Sequence, residues 1–90
     1  FCAHGEGGRL ADEGATALGG RLPVNTSGGL SSKGHPIGAS GVAQICEIAW
    51  QLRGECGQRQ VEGARVGLTQ NGGGFLGNDA AAQAVHILVA

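Results

Sequence analysis

Hydrophobic positions recur at helical spacing in one long stretch of the chain, residues 40–53. The apolar residues at intervals of three or four are Val42, Ile45, Ala49 and Leu52. The pattern predicts a helix over 40–53, with Ser40 as its cap and Gly54 in the left-handed position that commonly follows a helix. Because further apolar residues widen the stripe, we expect this helix to contact neighbours on more than one face.

Two later segments are typical of strands. Residues 64–71 read ARVGLTQN, and residues 79–90 end in the β-branched sequence VHILV. The alanines of the second segment are also compatible with a helix, but its β-branched end favours a strand. The intervening residues, NGGGFLGN, have the composition of a turn, so we predict that 64–70 and 80–89 are antiparallel neighbours.

The first part of the chain is rich in glycine and polar residues. We predict a connecting loop over residues 1–22 with a short helical turn at 10–14. Pro23 favours an extended conformation at Leu22–Asn25. With a helix lying against a paired sheet, the predicted fold class is α/β.

The composition of the chain shows that this predicted α/β unit has few charged residues. Of the 90 residues, 19 are glycine and 41% are hydrophobic, whereas only 14% are charged. In ordinary globular domains, about a quarter of all residues are charged. We therefore interpret the chain as a piece of a larger protein that covers its apolar surface, and the complete lack of methionine agrees with this interpretation.

Charge and cysteine usage exclude several kinds of partner. The net charge is −1 and the basic residues are dispersed, so we expect no nucleic-acid partner and no membrane partner. Three cysteines at irregular spacing favour a reducing, cytoplasmic compartment over a disulfide framework. No pair of potential ligands has zinc-site spacing, so we predict no metal site; these residues are Cys2, His4, His35, Cys46, Cys56 and His86.

The segment GLSSKGHPIGASG, residues 29–41, is the strongest candidate for chemistry. Its glycines allow a ligand or another chain segment to approach the backbone closely. The predicted helix directs its free N–H groups and positive dipole end back toward this loop. An imidazole at His35 can therefore hold a proton, stabilise a thiolate or donate to an oxyanion. From the residue pattern alone, a simple surface histidine is an equally good interpretation.

The sequence VNTSGGLSSKGHPIGASG resembles the thiolase signature N-x-x-GG-x-x-x-x-GHP-x-G-x-[ST]-G. The matching residues are Asn25, Gly28, Gly29, Gly34, His35, Pro36, Gly38, Ser40 and Gly41. The flanking QLRG and RQVEGARVGLTQNGGG resemble the sterol-carrier-protein or lipid-transfer-protein branch, also called thiolase-like acetyl-CoA acetyltransferases. The resemblance implies a thiolase-like fold, with a helix layered against a mixed sheet. Residues 1–90 would then be the last part of the C-terminal domain, and the N-terminal domain would lie outside this chain.

The resemblance also implies roles for individual residues. His35 would activate a nucleophilic cysteine located in the absent domain, and its ring N–H would help to bind the thioester oxygen. Gln70 occupies the position of the second cysteine of thiolases, and Gly72 matches a backbone donor of an oxyanion hole. Because a neutral amide has no useful pKa for proton abstraction, ordinary Claisen chemistry at Gln70 is in doubt. The remaining matched positions would contact substrate: Gly34, Pro36, Gly38 and Ser40.

The function implied by the resemblance is acyl transfer on 3-ketoacyl-CoA, by thiolysis or condensation, on long-chain substrates or sterol side chains. Coenzyme A would be a substrate, with no other cofactor, and the enzyme would be a homodimer. The loss of the second cysteine keeps two alternatives open. One is retro-aldol cleavage of β-hydroxyacyl-CoA together with a small OB-fold partner, and the other is a non-catalytic subunit that binds acyl-CoA or assembles a complex.

Overall fold

The computed structural model describes residues 1–90 and contains three α-helices, one 3₁₀ turn and two strands. In chain order they are α1 (Gly7–Asp12), α2 (Gly29–Lys33), α3 (Ser40–Arg53), the 3₁₀ turn (Gly57–Arg59), β1 (Val66–Gly73) and β2 (Ala82–Val89). The helix and both strands that the pattern predicts are confirmed, and so is their antiparallel pairing. Because α3 packs on the two-stranded sheet, the chain has the predicted α/β fold.

The ends of α3 correct one prediction and confirm another. Ala39 occupies the position before the first helical residue and makes no side-chain cap, so the prediction that Ser40 caps the helix is wrong. Ser40 is itself the first helical residue, and its hydroxyl lies against His35 and the Pro36 carbonyl. Gly54 follows the helix with φ 74°, in the predicted left-handed conformation.

The N-terminal part of the chain is more ordered than its composition predicts. The helical turn expected at 10–14 is a helix at Gly7–Asp12, where Arg9 forms ion pairs with Glu6 and Glu13. These exposed pairs favour the earlier start, although each contributes little free energy. The extended piece predicted at Leu22–Asn25 is not a strand of the sheet.

Two short elements were not predicted. The helix α2 lies between Gly28 and Gly34, which have φ values of 91° and 79° and set its two ends. The 3₁₀ turn follows α3 closely. Neither segment has enough apolar residues to produce a period, so the hydrophobic pattern carries no signal for them.

The two faces of the hairpin are covered very differently. On the α3 face, Gly67 lies directly under Ile48, and a Cβ at Gly67 would overlap the Ile48 side chain. The opposite face is exposed, and its apolar residues are Val66, Leu68, Val85, Ile87 and Val89. Only 5 of the 90 residues are buried, and Cys56 is the one hydrophobic side chain among them. None of the helices is long and apolar enough to cross a membrane.

Candidate functional site

The loop between α2 and α3 carries His35 to the start of the longer helix. Gly34 ends α2 with φ 79°, a conformation in which other residues are strained. The Pro36 carbonyl then accepts hydrogen bonds from the N–H groups of Ala39 and Ser40, at 2.8 and 2.9 Å. These bonds form a turn that leads directly into α3, so the histidine stands immediately before the helix.

A single side-chain contact orients the His35 ring. Its Nδ1 lies 2.8 Å from Ser40 Oγ, and the same hydroxyl donates to the Pro36 carbonyl at 3.2 Å. Ser40 is only 5% exposed, whereas His35 is exposed. The ring is therefore fixed on its Nδ1 side. The other ring nitrogen, Nε2, makes no hydrogen bond within the chain.

The first turn of α3 adds backbone donors to this region. The N–H groups of Gly41 and Val42 have no acceptor within the chain, because a helix leaves its first N–H groups without intrahelical partners. The positive end of the helix dipole lies at the same place. A negative charge that forms in front of α3, such as a thiolate or an enolate oxygen, is favoured by both.

The structure separates Gln70 from the α3 face of the sheet. Successive strand residues point to opposite faces, and the Gln70 amide nitrogen lies 3.5 Å from the position of a Cβ on Gly72, so both residues belong to the face away from α3. Gln70 contacts the helix only through its backbone carbonyl, which accepts from Gln44 Nε2 at 3.2 Å.

Asn71 is the polar residue of this segment that faces the helix, and sequence reasoning missed it. Its side-chain nitrogen would lie 3.2 Å from a Cβ on Gly41, so the amide lies against the first turn of α3. The alternation of strand side chains was available from the sequence. Which of the two faces meets the helix was not, because that depends on how α3 packs.

The backbone N–H of Gly72 points away from the other strand of the hairpin. Ala90 N–H donates to the Arg65 carbonyl at 3.0 Å, so Arg65 and Ala90 are a hydrogen-bonded pair. In an antiparallel ladder such pairs alternate with pairs that are not hydrogen-bonded. The pair Gly72 and Gln83 is one of the latter, so the Gly72 N–H points away from β2 toward the free edge of β1. The group is unused within the hairpin.

A cleft opens between the first two turns of α3 and the sheet. Ile37, Val42 and Ile45 form its apolar side, and Thr69, Asn71 and His86 form its polar floor. His86 Nδ1 lies 3.4 Å from the hydroxyl of Thr69, its cross-strand partner, as expected of a strand histidine satisfied by a neighbour. No group of three or more His, Cys, Asp or Glu side chains is placed to hold a metal ion.

The fold and the site together define an α/β domain in which a glycine-rich loop holds a histidine at a helix N-terminus. Residues 1–89 match the family described as thiolase C-terminal domain-like. The chain belongs to this family.

Individual relatives agree with the family assignment. The chain is 55% identical to an acetyl-CoA acetyltransferase of Methanothermobacter thermautotrophicus over 87 residues, which are 97% of the chain. It is 57% identical to rat (Rattus norvegicus) sterol carrier protein 2 over 79% of the chain, and 45% identical to the benzoylsuccinyl-CoA thiolase subunit BbsB of Thauera aromatica over 82%. The matched region covers only 22%, 13% and 20% of these three proteins, respectively.

Proposed function

We propose that this chain is the last part of the C-terminal domain of a thiolase-like acyl-CoA acyltransferase. The observation that carries the proposal is His35, held by Ser40 at the start of α3 with Nε2 free. The names of the acetyltransferase and thiolase relatives support acyl-CoA as the substrate class. We expect the rest of the protein to cover the apolar sheet face and to supply the nucleophile.

In the proposed reaction, His35 exchanges a proton at Nε2. It takes the proton of a cysteine thiol from the other domain, and the thiolate attacks the carbonyl carbon of the acyl thioester. The imidazolium N–H then faces the negative oxygen that forms, and the free N–H groups of Gly41 and Val42 favour negative charge in the same space. Departure of the leaving thiolate, which takes up the proton, leaves the acyl group on the cysteine, from which a second nucleophile such as coenzyme A then takes it and releases the cysteine thiolate.

A second proposal follows from Gln70. A neutral amide cannot abstract a proton from the substrate α-carbon, and the Gln70 side chain lies on the face away from α3. Retro-aldol cleavage of β-hydroxyacyl-CoA, together with an OB-fold partner, needs no second cysteine. A non-catalytic subunit also fits this feature, and one relative is named as a thiolase subunit.

The test of the main proposal is thioester cleavage by the full-length protein. Replacing His35 with alanine should lower turnover at least ~10²-fold, because a positioned acid–base group contributes about that much. His4→Ala is the matched control, since His4 is an exposed histidine outside this loop, and it should keep normal turnover. Gln70→Ala should lower turnover less than His35→Ala.

Substrate choice distinguishes the alternatives. Cleavage of 3-ketoacyl-CoA by added coenzyme A supports acyl transfer, and cleavage of β-hydroxyacyl-CoA supports the aldolase. If the protein catalyses neither reaction, that result supports a binding subunit. Residues 1–90 alone, which lack a nucleophile in this proposal, serve as the inactive reference. Unchanged turnover in a folded His35→Ala variant would reject the catalytic role of the loop.

A further inference from the structure

We propose that Ser40 is a positioning residue that keeps neutral His35 protonated at Nδ1 and unprotonated at Nε2. The sequence resemblance implies only that Ser40 contacts substrate, whereas the structure assigns its hydroxyl to the histidine. The catalytic consequence of this proposal rests on the proposed function. The tautomer itself rests only on the geometry of the loop.

The argument begins with the hydrogen atoms that are available. A serine hydroxyl has one hydrogen to donate and two lone pairs to accept with, while a carbonyl oxygen can only accept. Ser40 Oγ lies 2.8 Å from His35 Nδ1 and 3.2 Å from the Pro36 carbonyl oxygen. If the hydroxyl donates to the carbonyl, Nδ1 must carry the proton and donate to Oγ, so both hydrogen bonds form.

The opposite tautomer makes fewer hydrogen bonds. With Nδ1 unprotonated, the hydroxyl must turn its only hydrogen to the ring, and the contact with the Pro36 carbonyl is lost. Water cannot easily replace that bond, because Ser40 is only 5% exposed. The carbonyl is also held in place by two backbone N–H groups at the start of α3, so it cannot follow the hydroxyl.

The chemistry of the loop favours the same arrangement. When Nε2 accepts a proton, the Nδ1–H bond to Ser40 and the Ser40 bond to Pro36 both stay as they were. In the opposite tautomer, the unprotonated nitrogen faces Ser40 instead of the reactants, and protonating it would force the hydroxyl to rotate. The Ser40 contact thus prepares Nε2 to act as a base without rearrangement.

The direct test is nitrogen NMR of the full-length protein labelled with ¹⁵N-histidine, at a pH where His35 is neutral. The His35→Ala spectrum assigns the ring signals. We expect a protonated Nδ1 and an unprotonated Nε2 in the wild type. In Ser40→Ala the Nε2-protonated form should become populated, and in Ser40→Thr, which retains a hydroxyl, the wild-type pattern should persist. Ser31→Ala, which removes an exposed hydroxyl from α2, is the control.

Kinetics then measure the consequence. Ser40→Ala should lower kcat about tenfold or more with little change in KM, since a wrong histidine tautomer severely slows acid–base catalysis in the serine proteases. Ser40→Thr should restore most of the activity. Wild-type protein with the proton on Nε2 would overturn the proposal even if Ser40→Ala fails to fold.

The two proposals can fail separately. An Nδ1-protonated wild type combined with full turnover in His35→Ala would leave the tautomer established and reject the proposed function. An Nε2-protonated wild type with inactive His35→Ala would reject the role of Ser40 and retain the catalytic histidine.

Discussion

The two ends of α3 differ in how completely their polar groups are hydrogen-bonded. Around its C-terminal half, buried or half-buried polar side chains form a connected network that joins the helix to the segments before and after it. At its N-terminal end, a single side-chain hydrogen bond holds an exposed histidine, and two backbone N–H groups lack partners. At the C-terminal end, which we call the satisfied end, the polar groups have hydrogen-bond partners and hold the helix in place. At the N-terminal end the backbone N–H groups and His35 Nε2 have no partner within the chain.

Gln51 is the centre of the satisfied end. It is 6% exposed, and its amide uses both its donor and its acceptor groups. Its nitrogen shares its two hydrogens among three acceptors, Thr26 Oγ1, Glu47 Oε1 and the Arg59 carbonyl, and its oxygen accepts from Val61 N–H. One side chain therefore ties α3 to the loop before α2 and to the 3₁₀ turn.

Breaking this centre should have the largest effect on stability. Gln51→Leu keeps the volume but leaves one backbone N–H and one backbone carbonyl without partners, at about 1–3 kcal/mol each. We expect a loss of about 2–6 kcal/mol in the free energy of unfolding, measured by urea denaturation. Gln44→Leu is the matched control, because Gln44 makes one hydrogen bond, to the Gln70 carbonyl, and should cost less than about 1.5 kcal/mol. Equal losses in both variants would remove the distinction between the two ends.

The contact between α3 and β1 should be nearly as sensitive. In Gly67→Ala the new methyl group overlaps Ile48, so the helix must move from the sheet, at a cost of about 1–3 kcal/mol. Gly73 lies in the same strand, and a Cβ there would meet nothing within 4 Å, so Gly73→Ala should change stability by less than about 1 kcal/mol. Thermal unfolding of both variants measures the difference. A Gly67→Ala protein as stable as Gly73→Ala would show that α3 does not press on the strand.

The sequence predicted the regular elements better than the polar contacts. Apolar spacing and β-branched residues were sufficient for α3 and the hairpin, because burial along those segments follows their period. The motif around His35 pointed to the loop, but not to the hydrogen bond with Ser40, which depends on the turn at Pro36. The network around Gln51 could not be predicted from the sequence, since Thr26, Arg59 and Val61 lie in segments outside α3 whose path the hydrophobic pattern does not specify. Asn71 was missed for a related reason: packing decides which face of β1 meets the helix.

The smallest predicted effect is the pH dependence of the network around Gln51. The hydrogen bond from Arg59 to Glu47, at 3.0 Å, lowers the pKa of the Glu47 carboxyl from its ordinary value of 4.5, and burial only partly opposes this shift. Folded Glu47 therefore binds protons less readily than the unfolded chain does. Its contribution to stability is present above about pH 4.5 and is lost as the pH falls through the lower folded value.

The free energy of unfolding, measured between about pH 3 and 7, should thus decline at the acid end, and Glu47→Gln should flatten that decline. Because the Arg59 side chain is 40% exposed, solvent and salt screen the ion pair, and the effect should be smaller than for Gln51 or Gly67. Glu55→Gln removes a nearby exposed carboxylate and should keep the wild-type acid decline. A Glu47→Gln profile as steep as the wild type would show that this ion pair does not link the network to pH.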